Sequence, residues 1–129
     1  DYVVELILYC TFRTQMEFRA KCVARCWMDA EAYTLNTYQT VSKLLGGQKI
    51  GAEASLNKIF WSELDVRMHE LALELLGPRA ELLPDAPASG DVGAWLDGYI
   101  FALSGPIYAG TNQIQRNIIA ERILGLPRK

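Results

Sequence analysis

Histidine is almost missing from this chain of 129 residues, basic residues do not outnumber acidic ones, and long apolar runs are absent. Each shortage removes a class of function. With His69 the only imidazole, a Ser-His or Cys-His nucleophile would have to be built on that one side chain, and no spacing around it supports one. A net charge of -2, with Lys and Arg scattered, leaves no basic footprint for nucleic acid. Runs such as Ile118 to Ala120 or Ile100 to Leu103 fall far short of the ~20 apolar residues that cross a bilayer. The opening residues, Asp1 to Cys10, carry neither a basic leader nor a small-residue cleavage pattern, so they do not read as a signal peptide and a cytoplasmic location is expected by default. Starting with Asp and lacking a leader, the chain also reads as a piece of something longer. Its three cysteines, an odd number, fit reduced thiols better than a disulfide framework. Strand-like alternation, internal repeats and low-complexity tracts are lacking as well.

What remains is an ordinary globular composition, 50% apolar and 22% charged, in a length that suits one domain. Helical periodicity dominates it. Apolar or small residues recur at Met16, Ala20, Val23, Trp27, Ala30, Thr34, Thr37, Val41 and Leu44, alternating by four and three, which predicts a first helix from about Met16 to the Gly46-Gly47 stop. A second helix carries Phe60, Leu64, Met68, Leu71 and Leu75 on one face, with Glu63 and Arg67 spaced as an i,i+4 pair on another, and ends at Gly77-Pro78. Residues 79–90 have loop composition. Asp91 is the expected N-cap of a shorter third helix through Trp95, Tyr99 and Leu103, weakened by Gly93 and Gly98 at roughly 1 kcal/mol each, and Ser104-Gly105-Pro106 closes it. A fourth begins behind the capping residue Thr111 and stops at Gly125-Leu126-Pro127. Its Ile114, Ile118, Ile119, Ile123 and Leu124 spread around the circumference, so it wants burial on more than one side and part of its covering is expected to be missing. The fold class is therefore all-α, an antiparallel up-and-down four-helix bundle.

The stretch Pro106-Ile107-Tyr108-Ala109-Gly110-Thr111-Asn112-Gln113-Ile114-Gln115-Arg116-Asn117-Ile118-Ile119-Ala120-Glu121-Arg122, continuing to Leu124-Gly125-Leu126-Pro127-Arg128, closely resembles the terminal helix and preceding loop of acyl-CoA dehydrogenases. Glu53 to Leu64, leading into Leu73-Glu74-Leu75-Leu76-Gly77, resembles the central helix of the same domain. The resemblance implies that residues 1–129 are the C-terminal helical bundle of such an enzyme, without its N-terminal helical domain and middle β-domain. FAD lies among the three in the family, whose members take an α-proton and a β-hydride from an acyl-CoA thioester in fatty acid or lipid β-oxidation. No catalytic residue carries over: Ala109 occupies the position of the family's Glu base, and alanine has no lone pair to offer. Two readings stay open, a base on a helix upstream or a base-lacking subunit of a heteromeric pair. By the same resemblance Gly110, Thr111 and Gln113 approach the FAD of a neighbouring subunit at a helix start, where free N–H groups and the dipole favour a phosphate-bearing ligand. From the residue alone, Thr111 reads first as a plain N-cap without a ligand, and it is the resemblance that reverses this in favour of a flavin role. Gly77 matches the first glycine of a flavin-touching Gly-Gly turn, with Pro78 in place of the second. Arg13-Thr14-Gln15-Met16 resembles an Arg-x-Gln-Phe-Gly flavin motif faintly, but Glu17 stands where Gly is required.

The isolated fragment is expected to be inactive, to retain no FAD and to self-associate as a homo- or hetero-oligomer; acyl-CoA and FAD are its implied ligands only in the complete enzyme. The competing expectations are an assembly module without chemistry and a related flavin oxidase or monooxygenase. No metal site is expected. Cys22 and Cys26, four apart on one helix, have no converging ligands and read as half-buried thiols; His69 reads as a hydrogen-bonded helix histidine. Tyr33, Tyr38, Trp27 and Trp61 read as core or interface rather than a stacking platform.

Overall fold

The computed structural model describes residues 2–83, 85–90 and 92–128, with side chains from Gln15 onward. Four α-helices run in order: α1 (Tyr2–Leu45), α2 (Glu53–Leu76), α3 (Gly93–Ala102) and α4 (Asn112–Arg122), with a 3-10 turn at Gly77–Glu81. No strand occurs among the described residues. Asp91, the expected cap of α3, lies outside them, as do the side chains of Arg13, Thr14 and Cys10.

The first helix is 44 residues long, about 66 Å at 1.5 Å per residue, and begins well before Met16. Nothing between Tyr2 and Gln15 breaks it, because that stretch contains no Gly or Pro. Pairing with α2 is antiparallel: Asn36 meets Asn57 (3.0 Å), Tyr33 stacks on Phe60, and Arg67 reaches Asp29 (3.2 Å). The face that packs is thus Cys26, Asp29, Tyr33 and Asn36, one residue out of step with the Met16-to-Leu44 stripe. A one-residue offset rotates the helix face by about 100°. Of the stripe, Ala30, Thr34 and Thr37 are half-buried, whereas Trp27 is 65% exposed and Met16, Val23, Val41 and Leu44 are also exposed.

Every other helix packs on α2. Third-helix Gly98 lies so close to the His69 ring that an added Cβ would sit 2.5 Å from its Nε2, which explains a glycine that helix propensity alone disfavours. Further along, Gly105 lies against Ser62, where a Cβ would meet the serine Cβ at 3.3 Å. Fourth-helix Asn112 and Arg116 reach Ser62 and Glu63. Both α3 and α4 run antiparallel to α2: Trp95 meets His69 and Gly105 meets Ser62, while α4 leaves Ser62 at Asn112 and brings Arg122 and Ile123 beside Gly51 to Glu53. Glu63 and Arg67 do not pair with each other as side chains: Glu63 takes Arg116 and Arg67 takes Asp29, because tertiary partners offered charge at shorter reach than the helix neighbour.

Small and polar residues are what this chain seals. Leu64 and Ala102 are its buried apolar residues among those described, beside Ser55, Ser62, Ser89 and Asn112. The accessible surface is 9750 Å², whereas a compact monomer of this mass exposes about 6,900 Å². The surplus is the physical content of the expectation that covering is missing.

Candidate functional site

The segment from Pro106 into α4 is held from three directions. Tyr108 packs its ring against Trp61 of α2 at 6.1 Å between centroids, tilted by 53°. Pro106 accepts the Asn112 N–H (2.9 Å). Gln115 reaches back to donate from Nε2 to the Ala109 carbonyl (3.1 Å). Between these anchors Ala109 has φ 53 and Gly110 φ 85, two successive left-handed residues that turn the chain into the helix. For alanine that conformation costs about 1 to 2 kcal/mol, and the Gln115 bond is what holds it.

Thr111 is the N-cap. Its Oγ1 accepts the Ile114 N–H (3.3 Å) and its carbonyl accepts Gln115 N–H (2.9 Å). A hydroxyl that accepts once still has a proton to donate. With Asn112, Ile114 and Gln115 amides engaged within the chain, the Gln113 N–H is left at the open helix start, and the Gln113 side chain is exposed. The dipole adds partial positive charge there. These features suit a flavin as one contributor to its cradle: a hydroxyl donor, an amide donor and glycine-thin backbone at Gly110. They do not make a whole site, since the nearby cation Arg116 is committed to Glu63.

The structure brings Ala109, Gly110, Thr111 and Gln113 together and leaves Gly77 apart. Gly77 ends α2 with φ 58 and donates to the Leu73 carbonyl; α4 begins beside Ser62, so about 22 Å of helix separates them. The residue sequence reasoning missed is Asn112, 3% exposed. Its Oδ1 accepts from Lys58 Nζ (2.7 Å), and its Nδ2 donates to Ser62 Oγ (3.1 Å) and Glu63 Oε1 (3.2 Å). The Ser62 hydroxyl in turn donates to the Ile59 carbonyl (3.1 Å). A polar residue behind an N-cap ordinarily faces water. The available signal was Lys58, Ser62 and Glu63 sharing one side of the α2 pattern with no apolar partner among them.

Elsewhere the weighed residues behave as structural parts. His69 donates from Nδ1 to the Asp65 carbonyl (2.9 Å) and sits edge-on to Trp95 at 5.7 Å. Cys22 and Cys26 are free, half-buried thiols, and the described residues contain no cluster that could hold a metal. Of the four aromatics, Tyr33 and Trp61 are packed, while Trp27 and Tyr38 are each 65% exposed. No described helix is long and apolar enough to cross a membrane.

Comparison with known proteins bears on the fold and the family. The family model described as acyl-CoA dehydrogenase, C-terminal domain, matches residues 17–124. Acyl-CoA dehydrogenase IpdE1 of Mycobacterium tuberculosis is 34% identical over 110 residues, covering 83% of this chain and 26% of that protein. Acyl-CoA dehydrogenase FadE26 of the same organism is 33% identical over 114 residues, covering 82% and 27%. Among solved structures, the ChsE4-ChsE5 complex from Mycobacterium tuberculosis superposes with a TM-score of 0.78 at 32% identity, over 86% of this chain and 29% of that one. The Tcur3481-Tcur3483 steroid ACAD, at 20% identity and a TM-score of 0.77, shares the fold. The chain spans under a third of the length of each relative. On the match of its α1-to-α4 residues to that domain, the chain belongs to the acyl-CoA dehydrogenase family.

Proposed function

We propose that this chain works as the C-terminal helical domain of a longer FAD-dependent acyl-CoA dehydrogenase, and that it contributes the start of α4 to a flavin held jointly with other parts of the assembly. The observation that carries the reading is the loop and cap at Ala109, Gly110 and Thr111, built with two left-handed residues and an outward Gln113 amide in the stretch that resembles the family's flavin-facing helix start. When bound, a flavin would accept the hydride from the β-carbon of an acyl-CoA thioester. This chain's part is to present Thr111 Oγ1 and the Gln113 N–H at the positive end of α4, and to shape the loop beside them. Ala109 supplies no base, so the α-proton goes to a carboxylate elsewhere in the complete protein. Gly77, far along α2, would meet cofactor only across a subunit boundary. A cytoplasmic setting suits the free thiols Cys22 and Cys26.

The exposed stripe on α1 and the surplus surface support assembly, with copies of itself or with a related subunit. A second reading, favoured by Ala109 alone, is a base-lacking subunit that completes a partner's site. Purification of the complete polypeptide tests both. Visible flavin absorbance with acyl-CoA-dependent reduction of an artificial electron acceptor is the expected result. Flavin without turnover until a partner protein is added would select the second reading, and a colourless protein inactive under both conditions would overturn the flavoenzyme assignment.

A further inference from the structure

The α2–α4 junction contains more hydrogen bonding than helix packing requires. Asn112 is the first residue of α4, a position where side chains ordinarily reach water, yet its carboxamide is nearly sealed at 3% exposure while Gln113 beside it is exposed. Both Nδ2 protons are used, toward Ser62 Oγ and Glu63 Oε1, and Oδ1 receives Lys58 Nζ. Its main-chain N–H is taken by Pro106. Apolar contact would hold the two helices together without directional demand. Three directional bonds to one short stretch of α2 do something else: a slide or rotation of α4 breaks them together.

We propose that Asn112 is a positioning residue for cofactor contact: its carboxamide fixes the rotation and axial place of the first turn of α4 on α2, and so sets where Thr111 Oγ1 and the Gln113 N–H stand. The proposal rests on the flavin reading given above. Residue chemistry sharpens it. Leucine has asparagine's branching, in a somewhat larger volume, and no directional bond to offer. Aspartate keeps the shape and the Lys58 contact, but turns a donor toward Glu63 into a second carboxylate facing it. Adding Glu63→Gln to Asn112→Asp moves the donor to the α2 side and restores that link in reverse, with the Arg116–Glu63 ion pair lost, so Glu63→Gln alone is measured as its reference.

The test uses the intact flavoprotein, titrated with FAD after deflavination at a temperature well below unfolding. Hydrogen exchange at the Ile114 and Gln115 amides, which bond to Thr111, is read alongside, without cofactor. Gly98→Ala serves as a variant destabilised at the α2–α3 contact, away from α4. Asn112→Leu is expected to weaken FAD binding roughly tenfold, the scale of one or two buried hydrogen bonds, and to speed exchange at the two amides. Asn112→Asp does the same, and Asn112→Asp with Glu63→Gln recovers most of both. Gly98→Ala leaves both unchanged although its melting temperature falls. FAD affinity intact in Asn112→Leu, or lost equally in Gly98→Ala, overturns the proposal. If the parent protein binds no FAD, the flavin reading fails instead, and the exchange data still decide: faster exchange in Asn112→Leu alone supports the positioning role, and unchanged exchange refutes it.

Discussion

The α2–α4 junction and the outer stripe of α1 are made of opposite material. At the junction Ser62 and Asn112 are sealed, Gly105 and Ala102 close over them, and the polar atoms find partners inside the chain. On the stripe Trp27, Met16, Val23 and Leu44 stand in the open, and about 24 Å of α1 before Phe18 runs past the end of α2, whose last turn Phe18 and Cys22 border through Glu74. The junction pairs its polar atoms within this chain, whereas the stripe leaves large apolar side chains uncovered by it. One contact is set by direction and the other surface by apolar area alone.

Substitutions can break either half of that contrast. The largest effect is expected from Ser62→Leu. A leucine cannot fit at 0% exposure against Gly105, and it orphans the Asn112 carboxamide, so stability should fall by about 3 kcal/mol or more; urea midpoints of the intact protein measure this. Trp27→Glu should leave helix content by circular dichroism unchanged but weaken assembly by about 2 kcal/mol or more, the scale of an interfacial tryptophan; sedimentation at graded concentration would show it. Full assembly with a glutamate on the stripe would mean the stripe faces water in the native state. Gly98→Ala should cost about 1 to 2 kcal/mol in a thermal melt, since the His69 ring it strikes is held by the Asp65 carbonyl on one side and Trp95 on the other. Combining it with His69→Ala should return part of that loss. Thr111→Ala should cost about 1 kcal/mol through the missing cap. Arg67→Ala, on a pair half open to water, should change stability by less than about 1 kcal/mol.

Periodicity made the helices legible, because apolar spacing and glycine stops are local signals: the end of α1 before Gly46, the end of α2 at Gly77, and the Thr111 cap lie where the pattern puts them. The packed face of α1 was not legible. Periodicity reports a helix and its strongest apolar stripe but not which neighbour the helix meets, and the contact with α2 runs through Tyr33, Asn36 and Asp29, two of them polar and silent in an apolar pattern. Pairing choices were hidden for the same reason. Glu63 sits four residues from Arg67, and only the fold brings Arg116 and Asp29 within reach. In the candidate site, Ala109, Gly110, Thr111 and Gln113 were singled out by their resemblance to a family loop and helix start. Asn112, in their midst, was missed because its partners lie about 50 residues upstream on α2, and no local pattern reports a hydrogen bond across that separation.

The incompleteness of this chain on its own is tested most directly by light scattering of residues 1–129 at tens of micromolar, with a dye that reports exposed apolar surface added in parallel. Species heavier than the 14.5 kDa monomer that bind the dye are the expected result. A compact, dye-silent monomer of 14.5 kDa would contradict the account.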